Sequence, residues 1–162
     1  MENNDNRKEI RRLLWRWGRV AATCARKQKE LKEYIDLIES VSDVHSSALT
    51  GMPGGGQISD KTAMAAERLM FLEQQYQGMI DILSNEIEHE LRFKEIMDDV
   101  ISCVEDPART IIEMRYKYTW SYIKISRETS YAESWVKKLE GIAIRRIEKN
   151  VRILKEDTKR YF

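Results

Sequence analysis

The sequence predicts an all-α protein. A long N-terminal helical hairpin with a coiled-coil-like seam comes first, and a C-terminal three-helix bundle of the helix-turn-helix kind follows. Three observations carry this expectation. Apolar residues recur in steps of three and four along two long stretches of the 162-residue chain. A cluster of glycine and proline separates these stretches. In the last third the apolar periods become short and are broken by cap and turn residues. The expected domains are a hairpin over residues 1–105, with its joint near 50–59, and a bundle over residues 106–162.

The first helix is expected from about Asn6 to Val41. Its seam is Ile10, Leu13, Trp17, Val20, Cys24, Leu31, Tyr34, Ile38 and Val41, and only Lys27 interrupts the series. A heptad pattern over more than four repeats fits a helix packed within its own chain and fits a dimer seam equally well. The first half is basic and carries Trp15 and Trp17, as a helix lying on a membrane surface would. Acidic residues return at Glu30, Glu33, Asp36 and Glu39 while the seam continues, which disfavours that reading.

The joint reads "SALTGMPGGGQISDKTAM", Ser47 to Met64, and holds four of the seven glycines. A phosphate loop needs a Gly-Lys-Ser/Thr ending on a helix N-terminus after a buried strand. A dinucleotide loop needs a preceding strand as well. Neither is present, so the segment is expected to let the chain turn, with Gly54 to Gly56 open to disorder.

The second helix is expected from about Asp60 to Val104, capped by Ser59 or Asp60. Leu69, Leu72, Tyr76, Met79, Leu83, Ile87 and Leu91 form its seam, with a break or phase shift before Ile96, and then Val100 and Val104. Within it, Glu86 and His89 stand at the spacing of half a di-iron carboxylate site. The only other histidine, His45, follows "SDV", so the second half-site is missing. No nucleophile–base set stands out. The expectation is a protein that is not an enzyme, with no metal and no cofactor.

No apolar run is long enough to span a membrane, and arginines interrupt the N-terminal apolar residues, so no secretory leader is expected. Cys24 and Cys103 lie in apolar stripes and read as reduced core thiols of a cytoplasmic protein. The net charge of +1 hides a division. Residues 1–59 carry +2 and residues 60–106 carry −8, whereas residues 107–162 hold 14 Lys/Arg against 7 Asp/Glu, a net +7. The basic third is where a polyanion would bind.

In that third, Asp106 reads as an N-cap before Pro107, and Ile111, Ile112, Met114 and Tyr118 give a short helix. Thr119 reads as the cap of a second helix starting at Trp120, with Ile123 and Ile125 buried. The pattern breaks at Thr129–Ser130. A third helix starts near Ala132, with Val136, Leu139, Ile142, Ala143 and Ile147 inward and Lys137, Lys138, Arg145, Lys149 and Arg152 outward. A short helix, a tight turn and a longer helix with a basic outer face outline a helix-turn-helix. A generic three-helix bundle is the alternative.

The stretch "YIKISRETSYAESWVKKLEGIAIRRI" resembles the last DNA-binding region of sigma factors, through Ile125-Ser126 and then Val136, Leu139, Ala143 and Ile147. The wider frame resembles phage and prophage regulators of Gram-positive bacteria, of the RinA and ArpU kind. It comprises "LTGMPGGGQISDK", Arg115-Tyr116, Trp120, Tyr131 and the sigma-like segment. This resemblance covers most of the chain from Leu49 onward. It implies a transcription regulator encoded by a phage or integrated element. Sigma-like readers usually carry arginines in the first turn of the third helix, whereas here Ala132, Glu133, Ser134 and Trp135 stand.

The candidate DNA-binding residues are Glu133, Ser134, Trp135, Lys137, Lys138 and Arg145. Glu133 is suited to accept from a cytosine amino group, and Ser134 serves several bases. Trp135 suits a sugar or a thymine methyl, and equally a core or an interface. Lys137 and Lys138 suit phosphates or a guanine edge. Double-stranded DNA is the expected partner, and the hairpin is expected to dimerise the protein or hold RNA polymerase. The alternative is a phage structural or packaging adaptor acting through the hairpin. A third arrangement has the acidic middle masking the basic third.

Overall fold

The computed structural model describes residues 2–50 and 60–158, and the side chains of residues 5–41 and 63–151. It is all-helical, with no strand among the described residues. Helix α1 runs Glu2–Thr50, α2 Asp60–Ser102, α3 Ala108–Ile112, α4 Tyr122–Thr129 and α5 Glu133–Thr158. A π-helical segment, Glu113–Lys117, continues α3. The expected joint and its cap at Ser59 fall largely on residues 51–59, outside the described residues, as does the end of the tail beyond Thr158. No described helix is long and apolar enough to cross a membrane.

Packing divides the chain into two units, residues 1–23 with 89–162, and residues 24–88. In the first unit α1 buries Ile10, Leu14, Trp17 and Val20, and α2 buries Phe93, Met97, Val100 and Ile101, with Val104 buried just past its end. Leu14, not Leu13, carries the seam, because the buried face is centred one residue further on. Polar side chains tie the two helices at the edge of this core. Trp17 Nε1 donates to Asp98 Oδ1 at 2.7 Å. Arg16 pairs with Glu90 at 3.0 Å, and its guanidinium lies 4.0 Å from the Phe93 ring centroid.

Helix α2 stays unbroken between Leu91 and Ile96. The phase shift is met by exchanging side chains: Leu91 faces solvent, and Phe93 and Met97 enter the core. Cys24 is buried but Cys103 is exposed, against expectation. Cys103 falls just past the end of α2, where its Sγ donates to the Asp99 carbonyl.

In the second unit Leu83 and Ile87 are buried, with Cys24. Lys27, the residue that breaks the seam, pairs with Glu86 at 3.0 Å. Tyr34 and Tyr76 meet with ring centroids 6.0 Å apart. Partners therefore fall along α2 as they rise along α1, so the helices of this unit run antiparallel. Seam residues beyond Lys27 are only half-buried, and Leu72 is exposed.

Candidate nucleic-acid interface

The C-terminal elements pack around α5. Val136, Ala143 and Ile147 are fully buried, and Leu139 nearly so, as the spacing predicts. Ile142, expected among them, is exposed, and Ile144 takes its place inside. A helix turns about 100° per residue, so the stripe 136–139/140–143–147 leaves position 142 outside.

Helix α4 braces α5 through Ile125, which is fully buried, while Ile123 is exposed. Eight residues form only about two turns, so one inward face cannot take both isoleucines two positions apart. Helix α4 begins at Tyr122, and Ser121 caps it by accepting the Lys124 N–H at 3.2 Å. Thr119, expected as the cap, has φ 56° and belongs to the turn before. Pro107 occupies the cap position of α3, so the helix starts at Ala108. Asp106 takes the Thr110 hydroxyl at 2.7 Å and the Arg109 guanidinium at 2.8 Å instead. These contacts, the Thr110 hydroxyl first, hold its carboxyl below the usual carboxylate range.

The link from α4 to α5 is Ser130 to Ala132. Ser130 ends α4 in the left-handed conformation, φ 57°. Ser126 Oγ then donates to the Tyr131 carbonyl at 2.6 Å. The Ala132 carbonyl accepts from the Trp135 and Val136 N–H groups and starts α5. The reversal is thus hydrogen-bonded at both ends.

A buried carboxylate fixes the rotation of α5. Glu140 is 3% exposed. Its Oε1 accepts from the Tyr116 hydroxyl at 2.7 Å and its Oε2 from Tyr122 at 2.9 Å. Arg11 of α1 approaches Oε2 at 3.9 Å. Burial, then the Glu140 hydrogen bond, pushes the Tyr116 phenol far above its ordinary 10.0, and the same causes raise Tyr122. A helix, the π-helical segment and α1 therefore converge on one side chain of α5. Sequence periodicity alone does not single out Glu140. Its signal is a carboxylate between Leu139 and Ala143, inside the apolar stripe, where an unpaired charge would be costly.

The outward side of α5 carries the candidate residues. Ser134, Trp135, Lys137, Lys138 and Arg145 are exposed, and Glu133 is half-buried at the first helical position. Glu133 and Lys137 pair at 2.6 Å, and that carboxylate keeps the lysine protonated to higher pH than usual. Lys138 Nζ lies 4.9 Å from the Trp135 ring centroid. Arg145 Nε donates to the Gly141 carbonyl at 3.2 Å. Trp135 is 42% exposed, so it is not a core residue. Lys149 is exposed, and the side chain of Arg152 is outside the described residues. Ser134, Trp135, Lys138 and Arg145 therefore share the outward side over the first half of α5, whereas Glu133 and Lys137 pair at its edge, where Lys137 Nζ lies 5.3 Å from the Tyr122 ring centroid of α4.

Elsewhere, Glu86 is engaged by Lys27, and the His89 ring nitrogen Nδ1 lies 3.4 Å from Arg16. Comparison with protein-family models, with curated proteins and with solved structures finds no match for this chain.

Proposed function

We propose that the chain is a DNA-binding transcription regulator of a phage or integrated element, acting in the cytoplasm, and that α4 and α5 form a helix-turn-helix that engages duplex DNA. The observation that carries this reading is the outward side of α5. Lysines, an arginine and an exposed tryptophan line it, while its inward side is anchored by Val136, Ala143, Ile147 and Glu140. Exposed cations on a rigid helix suit phosphates, and Ser134 and Trp135 near its start suit base edges. The net +7 of residues 107–162 supports the same partner. Helices α1 and α2 form a helical hairpin in this reading. Residues 24–88 of it dimerise the protein or hold RNA polymerase, as the exposed Met70 and Phe71 suggest.

Fluorescence anisotropy with duplex DNA over a range of salt tests this. Affinity should fall steeply as salt rises. Lys137→Ala/Lys138→Ala should bind more weakly, with a log–log slope shallower by about 0.9 for each phosphate that is no longer neutralised. Absence of salt-sensitive binding by the full chain would remove the proposal and turn attention to an adaptor role for the hairpin.

A further inference from the structure

Just before α4 the chain makes a turn that is held from several sides. The Tyr118 N–H bonds to the Glu113 carbonyl at 3.1 Å and the Trp120 N–H to the Met114 carbonyl at 3.0 Å. Between them Thr119 sits in the left-handed region, where a β-branched side chain is strained. Arg115 pins the turn, its Nη1 donating to the Trp120 carbonyl at 2.9 Å. The same guanidinium lies 5.3 Å from the Trp15 ring centroid and 4.6 Å from that of Tyr122.

What this fixed turn presents outward is aromatic and cationic. Tyr118 is 53% exposed, and its ring centroid is 5.9 Å from that of Trp120. Lys117 Nζ lies 6.0 Å from the Tyr118 ring and Lys124 Nζ 4.1 Å from the Trp120 ring. From Arg115 to Arg127 the chain has four cations and no carboxylate. A ledge of this kind matches a ligand whose surface alternates apolar and anionic, as a sugar–phosphate backbone does. A protein partner fits less well, because exposed lysines flank the rings and would have to be desolvated.

We infer that this turn is a second nucleic-acid contact, in which Lys117 and Lys124 hold phosphates and Tyr118 packs on the adjoining deoxyribose of the duplex that α5 engages. The inference rests on the reading of α5 given above. Ammonium groups over ring faces still have donors to offer, since each carries three. The ledge positions the duplex and carries no base specificity.

The test is duplex DNA affinity against salt for the full chain, with Lys117→Ala/Lys124→Ala beside Lys137→Ala/Lys138→Ala. Leaving two phosphates unneutralised at the ledge should weaken binding and lower the slope by about 1.8. Tyr118→Ala should weaken binding with the slope unchanged. Lys117→Glu/Lys124→Glu should deepen the defect of the alanine pair. All three side chains are exposed, so far-ultraviolet circular dichroism should match the unaltered chain. If the ledge variants, including the glutamate pair, bind as the unaltered chain does while the α5 pair is impaired, the ledge does not touch DNA and the α5 reading stands. If the unaltered chain shows no salt-sensitive DNA binding, both fall.

Discussion

Glu140 is one buried carboxylate, and three elements are oriented by it. Hydrogen bonds to a charged group contribute about 1.5–3 kcal/mol each, so replacing a donor is felt. Tyr116→Phe removes the donor on Oε1, and it should destabilise the fold by about that much at neutral pH in urea unfolding. The sign of the pH dependence follows from the raised phenol. Below pH 10.0, the ordinary tyrosine value, Tyr116 is protonated in both folded and unfolded chains, and its contribution is complete. Above that pH the unfolded chain releases the proton first, so stability falls as pH rises. The unaltered protein should therefore lose stability on the alkaline side of pH 10, and Tyr116→Phe should lose less over the same range. Equal alkaline slopes for the two proteins would show that the buried Tyr116 phenol does not govern the loss.

Among the elements, α1 passes tightly against another backbone at Gly18. A Cβ built on Gly18 would stand 2.0 Å from the Tyr116 carbonyl oxygen and 2.6 Å from its carbon. Helix propensity alone favours alanine over glycine there by about 1 kcal/mol. The close approach reverses that preference, because the obstacle is backbone and cannot swing aside. Gly18→Ala should destabilise the protein by about 3 kcal/mol or more, measured by the denaturant midpoint. Unchanged stability would mean that α1 slides without cost. The sequence presented Gly18 only as the one glycine in the first helical pattern. Its use became visible once the π-helical segment was placed against it. The caps show the same limit on sequence reading. Ser121 and Thr119 are both good N-cap types, but Thr119 is taken up in the left-handed turn that follows the π-helical segment, so α4 starts at Tyr122.

At the scale of the whole molecule, the core of the +7 segment is completed by side chains from outside it. Trp15 of α1 packs edge-on against Tyr116, with centroids 5.0 Å apart, and Arg11 and Asn6 reach Glu140 and Glu148. Phe93 and Met97 of α2 belong to the same unit. An isolated fragment of residues 107–162 should therefore lack a cooperative thermal transition by circular dichroism, while the full chain shows one. A cooperative transition in the fragment would make residues 1–23 and 89–106 dispensable for its folding.

The sequence by itself determined the helical class, the two long apolar periods, the charge division and the stripe of Val136, Leu139, Ala143 and Ile147. Each is local or periodic, and a helix converts spacing into a face without outside help. Tertiary structure decided which of two neighbouring apolar residues turns inward: Leu14 over Leu13, Ile125 over Ile123, Ile144 over Ile142. It also decided that Cys103 lies outside and that Glu140 lies inside, held by two phenols. The physical reason is that a sparse apolar pattern fixes a helix's buried stripe only to within one or two positions. The final rotation is set by close-packed neighbours and by polar groups that must find partners far along the chain.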